Sequence, residues 1–302
     1  MTSNSKKKIL SVIGLTVVVL TWYLFFKKND YEINFKVKAA TGTVYLGIVD
    51  WSKDQEHKNN EKYTVIEHKQ FNSLVQKMTA NNVVLQYDWT IENINDSITK
   101  VVVGINNRDH KIWTRLSTPF KSDFISKEIE KIKTFKTGLE EHLANFKIGK
   151  VEEGSSPKVF VAYISLESVL AEKAQTMIGS DNIITGYLHN NHIKITGKPL
   201  LEVTTLNLEK EKLTFNYCFP IDKNTIYVND KNVKFKTIAA KKGLKIDYFG
   251  NYRTSDRAWF TILDYSKKNN IGLKGLPIEH YQNNPFNGGN EIEWRTEIIY
   301  PY

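Results

Sequence analysis

Glu297 is the side chain in this sequence whose setting most invites chemistry. It lies in Trp294-Arg-Thr-Glu-Ile-Ile-Tyr-Pro-Tyr302, a β-rich run in which successive side chains point to opposite faces. Trp294, Thr296, Ile298 and Tyr300 then form a helix-packed core face, which leaves Arg295, Glu297 and Ile299 facing a concave pocket. A carboxylate in an apolar pocket loses hydration and needs a positive partner. That partner is either a ligand cation, with each aromatic face around it adding about 0.5–2 kcal/mol, or Arg295 on the same strand face. Tyr163, Tyr248, Tyr252, Trp259 and Tyr281 are the aromatic residues able to wall such a pocket. Each also reads as a core residue, Trp259 most plainly because its spacing is helical. His189 and His192 have the spacing of a helical metal pair but fall in a turn beside Asn190 and Asn191, with no third ligand near them in sequence. Cys218 alternates within a strand and reads as a small buried residue. No phosphate-cradling glycine loop, nucleophile elbow or Cys/His dyad is present in the sequence. No cofactor or metal is expected.

The chain that must position these residues has 302 residues, 41% of them hydrophobic and 12% aromatic, enough for two ordinary domains with separate cores. A single cysteine excludes an intramolecular disulfide. The net charge of +9 comes from lysines spread along the chain, with no helix-turn-helix or zinc-finger spacing, so nucleic acid is not an expected partner. Lys6-Lys-Lys8 precedes an uncharged, mostly apolar run, Ile9–Phe26, of 18 residues. At ~1.5 Å per residue that is about 27 Å of helix, close to the ~30 Å hydrocarbon core of a bilayer. Trp22 and Tyr23 stand near one end, where interfacial aromatics belong. Phe25-Phe-Lys-Lys28 offers no small-residue cleavage site, so an uncleaved membrane anchor over residues 9–26 is expected in preference to a signal peptide. Lysines flank both ends, and the balance tilts only slightly toward a cytoplasmic N-terminus with the rest of the chain outside.

Beyond a tail and anchor at 1–29, Tyr31–Lys38 alternates as a strand and Lys53–Asn60 reads as a polar loop. Strands are expected at Tyr63–Gln70, Asn82–Ile91 and Thr99–Ile105, with a turn at Asn95-Asp96 and a further strand at Ile112–Leu116. Ser122 or Asp123 caps a helix to about Phe146, its apolar positions Ile125, Ile129, Ile132, Phe135 and Leu139 recurring at three and four. Lys150 to Pro157, with Gly154-Ser-Ser156, reads as a linker. The second half repeats itself. Lys158-Val-Phe-Val-Ala-Tyr163 parallels Leu244-Lys-Ile-Asp-Tyr248, Asn191–Leu200 parallels Asn269–Ile278, and Asn216-Tyr-Cys-Phe-Pro-Ile221 parallels Glu297-Ile-Ile-Tyr-Pro-Tyr302. Two β-α-β-β units would pair about a pseudo-twofold axis and make a concavity where they meet. Asn216 takes the Glu297 position in the first unit, and Tyr163 and Tyr248 are expected to approach across the axis.

The order of Tyr248-Phe-Gly-Asn-Tyr252, Gly275-Leu-Pro-Ile-Glu-His-Tyr281 with Asn284-Pro285, and Trp294-Arg-Thr-Glu-Ile-Ile-Tyr-Pro301 resembles the GyrI-like small-molecule-binding family, the AraC-type effector-binding domain, over residues 155–302. The chain departs from the family where Asn284 replaces an aspartate and Asn251 a proline. The resemblance implies a buried acid at Glu297, ringed by aromatics, that recognises cationic or polar-tipped hydrophobic ligands. Residues 30–149 resemble the SRPBCC (START-like) superfamily through Trp89-Thr-Ile-Glu92, Thr99-Lys-Val-Val-Val-Gly104 and Phe135–Leu143, with the family's tryptophan-rich segment reduced to Val49-Asp-Trp-Ser52. It implies a long helix wrapped over a helix-grip antiparallel sheet. The expected fold is thus α+β: a transmembrane helix, a helix-grip domain and a duplicated β-α-β-β effector-binding domain, an arrangement that resembles bacterial membrane-anchored proteins.

The reading that follows is a membrane-held receptor for an amphipathic or cationic hydrophobic small molecule through Glu297, Tyr163, Tyr248, Tyr252, Tyr281 and Asn216. Any downstream protein partner is unspecified. Three alternatives stand beside it. One is a hydrolase of electrophilic xenobiotics, with Glu297 activating water and Tyr252 or Tyr281 polarising the substrate. The second is a lipid or hydrophobe carrier through the N-terminal half. The third is a partner-binding scaffold with both cavities filled.

Overall fold

The computed structural model describes residues 3–80, 83–95, 97–109, 111–118, 123–283 and 288–302. Asp96, Ser122, Asn284 and Pro285 lie outside them. The fold is mixed α+β and divides into two compact units, Met1–Leu139 and Glu140–Tyr302.

The first unit opens with α1 (Ser3–Thr21), which continues through a π-helical turn, Trp22–Phe26. Lys8–Phe26 is, among the described residues, the one helix long and apolar enough to cross a membrane. Its order continues with β1 (Tyr31–Val37), α2 (Thr41–Asn59), β2 (Lys62–Lys69), β3 (Ser73–Ala80), β4 (Val83–Asn95), β5 (Ile98–Asn107), α3 (Lys111–Ser117) and α4 (Asp123–Ala144). The five strands form an antiparallel sheet in the order β1-β5-β4-β3-β2. In α2, Val44, Ile48 and Ser52 are buried at a spacing of four, so the stretch expected as a polar loop at Lys53 is instead the exposed end of an amphipathic helix. In α4, Ile125, Ile132, Phe135 and Leu139 are buried, the stripe that its sequence spacing foretells. Trp51, Trp89 and Phe135 pack together, with ring centroids 5.4 Å apart for Trp51–Phe135, 5.6 Å for Trp89–Phe135 and 5.9 Å for Trp51–Trp89. Behind them Trp89 Nε1 donates to Gln76 Oε1 at 3.0 Å, and Gln76 Nε2 donates to Ser52 Oγ at 2.7 Å. This chain satisfies polar atoms that burial would otherwise leave costly.

Ile112–Leu116, expected as a strand, lies in helix α3, which buries the adjacent Thr114 and Arg115 and leaves Ile112, Trp113 and Leu116 exposed. The Arg115 side chain is fully buried. Its Nε donates to Asp30 Oδ1 at 2.7 Å, its Nη1 to the carbonyls of Leu24 at 2.9 Å and Tyr23 at 3.1 Å, and its Nη2 to the carbonyl of Lys27. Asp30 Oδ2 accepts from the backbone N–H of Asn107 at 2.8 Å. The last carbonyls of a helix have no partners within it, and the guanidinium supplies them with charged donors suited to the negative end of the helix.

The second unit holds β6 (Lys147–Ile148), β7 (Glu152–Ser156), β8 (Val159–Val169), α5 (Lys173–Gly179), α6 (Asp181–Asn190), β9 (Leu200–Asn207), β10 (Lys212–Pro220), β11 (Lys234–Ile238), β12 (Lys241–Phe249), α7 (Asp256–Lys268), β13 (Ile278–Tyr281) and β14 (Arg295–Pro301). The sheet order is β11-β8-β10-β9-β13-β14-β12-β6, with β7 also on β12. The stretch read as a linker, Lys150 to Pro157, therefore carries a strand. β8-β10-β9 and β13-β14-β12 mirror one another about the β9–β13 pairing, each with its helices inserted after its first strand. α7 carries Asp256 in its first turn and Lys267 and Lys268 in its last, matching its macrodipole. It buries Ala258, Trp259, Phe260 and Ile262.

Candidate functional site

Strand alternation and register sort the sheet of the second unit into two faces. β12, β14, β13, β9 and β10 align Ile246 with Ile298, Ile298 with Glu279, Glu279 with Leu201 and Leu201 with Tyr217. The same register places Asp247, Glu297 and His280 side by side, and Glu202, Asn216 and Ser165 side by side, on the opposite face.

The first face holds a cavity of about 300 Å³, at the small end of the ~300–1,000 Å³ typical of ligand pockets. Its walls are Tyr217 and Phe219 from β10, Tyr281 from β13, Tyr252 from the turn before α7, and Met177 and Ile178 from α5. Asp181 and Thr185 from α6, with Ile195, Lys198, Pro199 and Asn283 from loops, complete them. Tyr252 and Tyr281 pack with centroids 4.5 Å apart. Tyr252 donates its hydroxyl to the Asn283 carbonyl at 2.7 Å, and Tyr217 donates to Asp181 Oδ1 at 2.8 Å. Burial pushes the Tyr252 phenol up to about 12. Burial first, and then the charge of Asp181, raises Tyr217 further still. These hydroxyls therefore stay neutral donors, and the cavity pairs aromatic walls with a few fixed polar groups.

A charged cluster lies behind Tyr281. The Tyr281 hydroxyl donates to Glu279 Oε2 at 2.5 Å. Glu279 Oε1 accepts from Lys173 Nζ at 2.6 Å, and both side chains are fully buried. Lys173 also donates to Ser255 Oγ at 2.6 Å, and its ammonium stands 4.5 Å from the centroid of the Trp259 ring. Burial, and then Glu279, holds the Tyr281 phenol well above its ordinary value.

Of the residues singled out from sequence, the structure brings Tyr252 and Tyr281 together in the cavity. Glu297 lies on the other face, within 2.8 Å of Lys245 Nζ and 3.5 Å of Arg295 Nη2. Asn216 is on that face too, donating to Glu202 Oε2 at 2.9 Å and accepting from Ser165 Oγ at 2.8 Å. Tyr163 shares it, with Lys236 Nζ 4.7 Å from its ring centroid. Tyr248 is fully buried on the helix side, its hydroxyl donating to the Asn251 carbonyl at 2.9 Å. Tyr163 and Tyr248 thus stand on opposite faces of strands five places apart in the sheet order. The symmetry mate of Tyr163 is Lys245, since Tyr163 pairs with Cys218 as Lys245 pairs with Ile299. The spacing between Lys245 and Tyr248 is odd, and an odd slip exchanges the faces. Trp259 is core, as its helical spacing suggested, yet its ring also faces the Lys173 ammonium.

Glu279, Lys173, Tyr217 and Asp181 were not singled out by sequence reasoning. The signal for Glu279 was present: in Ile278-Glu-His-Tyr281 alternation puts the acid and Tyr281 on one face. Lys173 gave none, since Leu170-Ala-Glu-Lys-Ala174 reads as an ordinary exposed turn of helix.

No family model matches the chain, and no curated protein matches it. Among solved structures, the EcmrR C-terminal domain is similar at 18% identity and a TM-score of 0.44, over 51% of this chain and 96% of that one. A hydrolase from Listeria innocua is similar at 10% identity and a TM-score of 0.34, over 54% of this chain and 96% of that one. SAV2435 bound to tetraphenylphosphonium is similar at 14% identity and a TM-score of 0.33, over 50% of this chain and 93% of that one. Likeness at this level leaves function to be read from the cavity itself.

Proposed function

We propose that the second unit is a small-molecule receptor module of the GyrI-like, effector-binding kind, and that Lys8–Phe26 holds it at a membrane. The observation that carries the receptor reading is the cavity: aromatic walls from two strands and a turn, closed by α5 and α6, with the Asp181–Tyr217 pair as its fixed polar feature. Its ligand is an amphipathic molecule whose apolar body lies against Tyr252, Tyr281 and Phe219 and whose polar tip reaches Asp181 or Tyr217. The hydrolase reading that pairs Glu297 with Tyr252 or Tyr281 loses its support, because those residues do not assemble. Glu297 is on the face opposite Tyr252 and Tyr281. Native mass spectrometry of the full chain against a panel of small aromatic compounds tests the reading. One-to-one adducts that Thr185→Trp abolishes by filling the cavity, and that Glu297→Gln leaves intact, are expected. Adducts lost in Glu297→Gln and kept in Thr185→Trp would move the site to the other face.

Membrane attachment is supported by what surrounds the end of the apolar helix. Trp22, Phe25 and Phe26 are exposed, and α3, held against that end by Arg115, exposes Ile112, Leu116 and 74% of Trp113. Apolar and aromatic side chains gathered at one end of a spanning helix suit the interfacial zone of a bilayer. The first unit, of helix-grip character, then sits at the membrane surface, with the soluble part placed outside the cytoplasm. The carrier reading for that unit has less support, because Trp51, Trp89 and Phe135 pack against one another between the sheet and α4.

A further inference from the structure

Lys173 belongs to the first turn of α5, and Met177, one turn further along the same helix face, lines the cavity. The lysine side chain is fully buried, as is that of Glu279. A carboxylate, a serine hydroxyl and a tryptophan face converge on the Lys173 ammonium, from Glu279 at 2.6 Å, Ser255 at 2.6 Å and Trp259 at 4.5 Å. Tyr281, which shapes the cavity on one side, donates to the same carboxylate on the other. Carboxylate plus aromatic face is the chemistry that recognises an alkylammonium. Buried ion pairs contribute little net stability compared with well-packed apolar residues, so this cluster asks for a role beyond holding the fold.

We propose that Lys173 is an internal ligand: it fills an ammonium cage behind Tyr281, next to the cavity, so that the cavity takes neutral or anionic amphipathic molecules and excludes organic cations. This rests on the reading of the cavity as a ligand site and deepens it by naming the ligand class. The cavity lining does not decide the matter, because it carries one group of each sign, Asp181 and Lys198. In the cage behind Tyr281, Glu279 already has an ammonium and the hydroxyls of Tyr281 and Ser255 around it. An entering cation would have to leave its hydration behind for a carboxylate whose charge is already met, with the fixed Lys173 charge beside it.

The test uses the full chain and three probes of one shape: phenethyl alcohol, 3-phenylpropionate and phenethylammonium. For the wild type, the alcohol or the carboxylate binds at least about tenfold tighter than the ammonium. In Lys173→Met, which keeps the length of the side chain, phenethylammonium gains about tenfold or more. In the double variant Lys173→Met/Glu279→Gln that gain disappears, because the cage has lost its acid. Wild-type protein that binds phenethylammonium as tightly as the alcohol overturns the proposal, and so does a gain that persists in the double variant. Should Lys173→Met alone fail to fold, the wild-type comparison still decides, and folding of the charge-free double variant confirms that the unpaired acid was the cause. If none of the three probes binds any of the proteins, the receptor reading itself falls and the proposal with it; binding with the wrong order of affinities defeats the proposal alone.

Discussion

His280 stands between Glu297 and the apolar part of its sheet face, with Nε2 lacking a hydrogen-bond partner among the described residues. Burial pulls its imidazole below the ordinary 6.5, with the Glu297 carboxylate opposing the shift and the Lys245 ammonium adding to it. The folded protein therefore binds the proton less readily than the unfolded chain. The resulting stability is fully present above about pH 6.5 and is lost as the pH falls through the depressed folded value. Urea unfolding of wild type beside His280→Gln checks this. The wild type should lose stability on acidification more steeply than the variant, and parallel curves would contradict it. The same face shows where residue-level reading succeeded and where it failed. Alternation in β14 correctly grouped Arg295 with Glu297 and Ile298 with Tyr300. The further step, that helices fill one face and a ligand takes the other, has no warrant in the sequence. Here the helix layer itself leaves a gap, so that cavity and helices share a face; the acid that lines it is Asp181 from α6, and Glu279 of the neighbouring strand lies behind Tyr281.

Among the elements, the joint between α1 and the sheet of the first unit depends on a single arginine. Arg115 is donor to three carbonyls at the end of the apolar helix and partner to the fully buried Asp30. Arg115→Met would leave a buried carboxylate without its counter-ion and is expected to cost about 3–5 kcal/mol, measured by denaturant unfolding of the full chain in detergent. A loss below about 1 kcal/mol, the level of an exposed pair, would show that the clamp is not formed. Neither Arg115 nor α3 was legible as such, because Ile112-Trp-Thr-Arg-Leu116 is short and rich in β-favouring residues. A run of five residues cannot separate period two from period 3.6 when one buried side chain is charged. The longer elements were legible for the converse reason. α4 and α7 repeat an apolar stripe over several turns, and α7 adds charges matched to its two ends. The repeat in the second unit was visible in Asn216–Ile221 and Glu297–Tyr302, which do occupy matching places in β10 and β14. Its first strands were aligned out of register, since β8 and β12 share hydrophobicity but no residue that marks a face.

At the scale of the whole molecule, an apolar N-terminal helix precedes a unit with a five-stranded antiparallel sheet and an aromatic interior, and a second unit whose sheet has a cavity on its helix side. Attachment to the membrane predicts that the chain stays with the membrane pellet after alkaline carbonate extraction; recovery in the supernatant would contradict it. The receptor claim is tested most directly through the methionines, of which the sequence has only Met1, Met78 and Met177. Met177 lines the cavity, and Met78 is buried in β3 of the first unit. In the full chain labelled at its methionine methyl groups, titration with phenethyl alcohol should move the Met177 resonance and leave Met78 in place. A shift of Met78 with Met177 unmoved would transfer ligand binding to the first unit, and a titration that moves neither would contradict the cavity as a binding site.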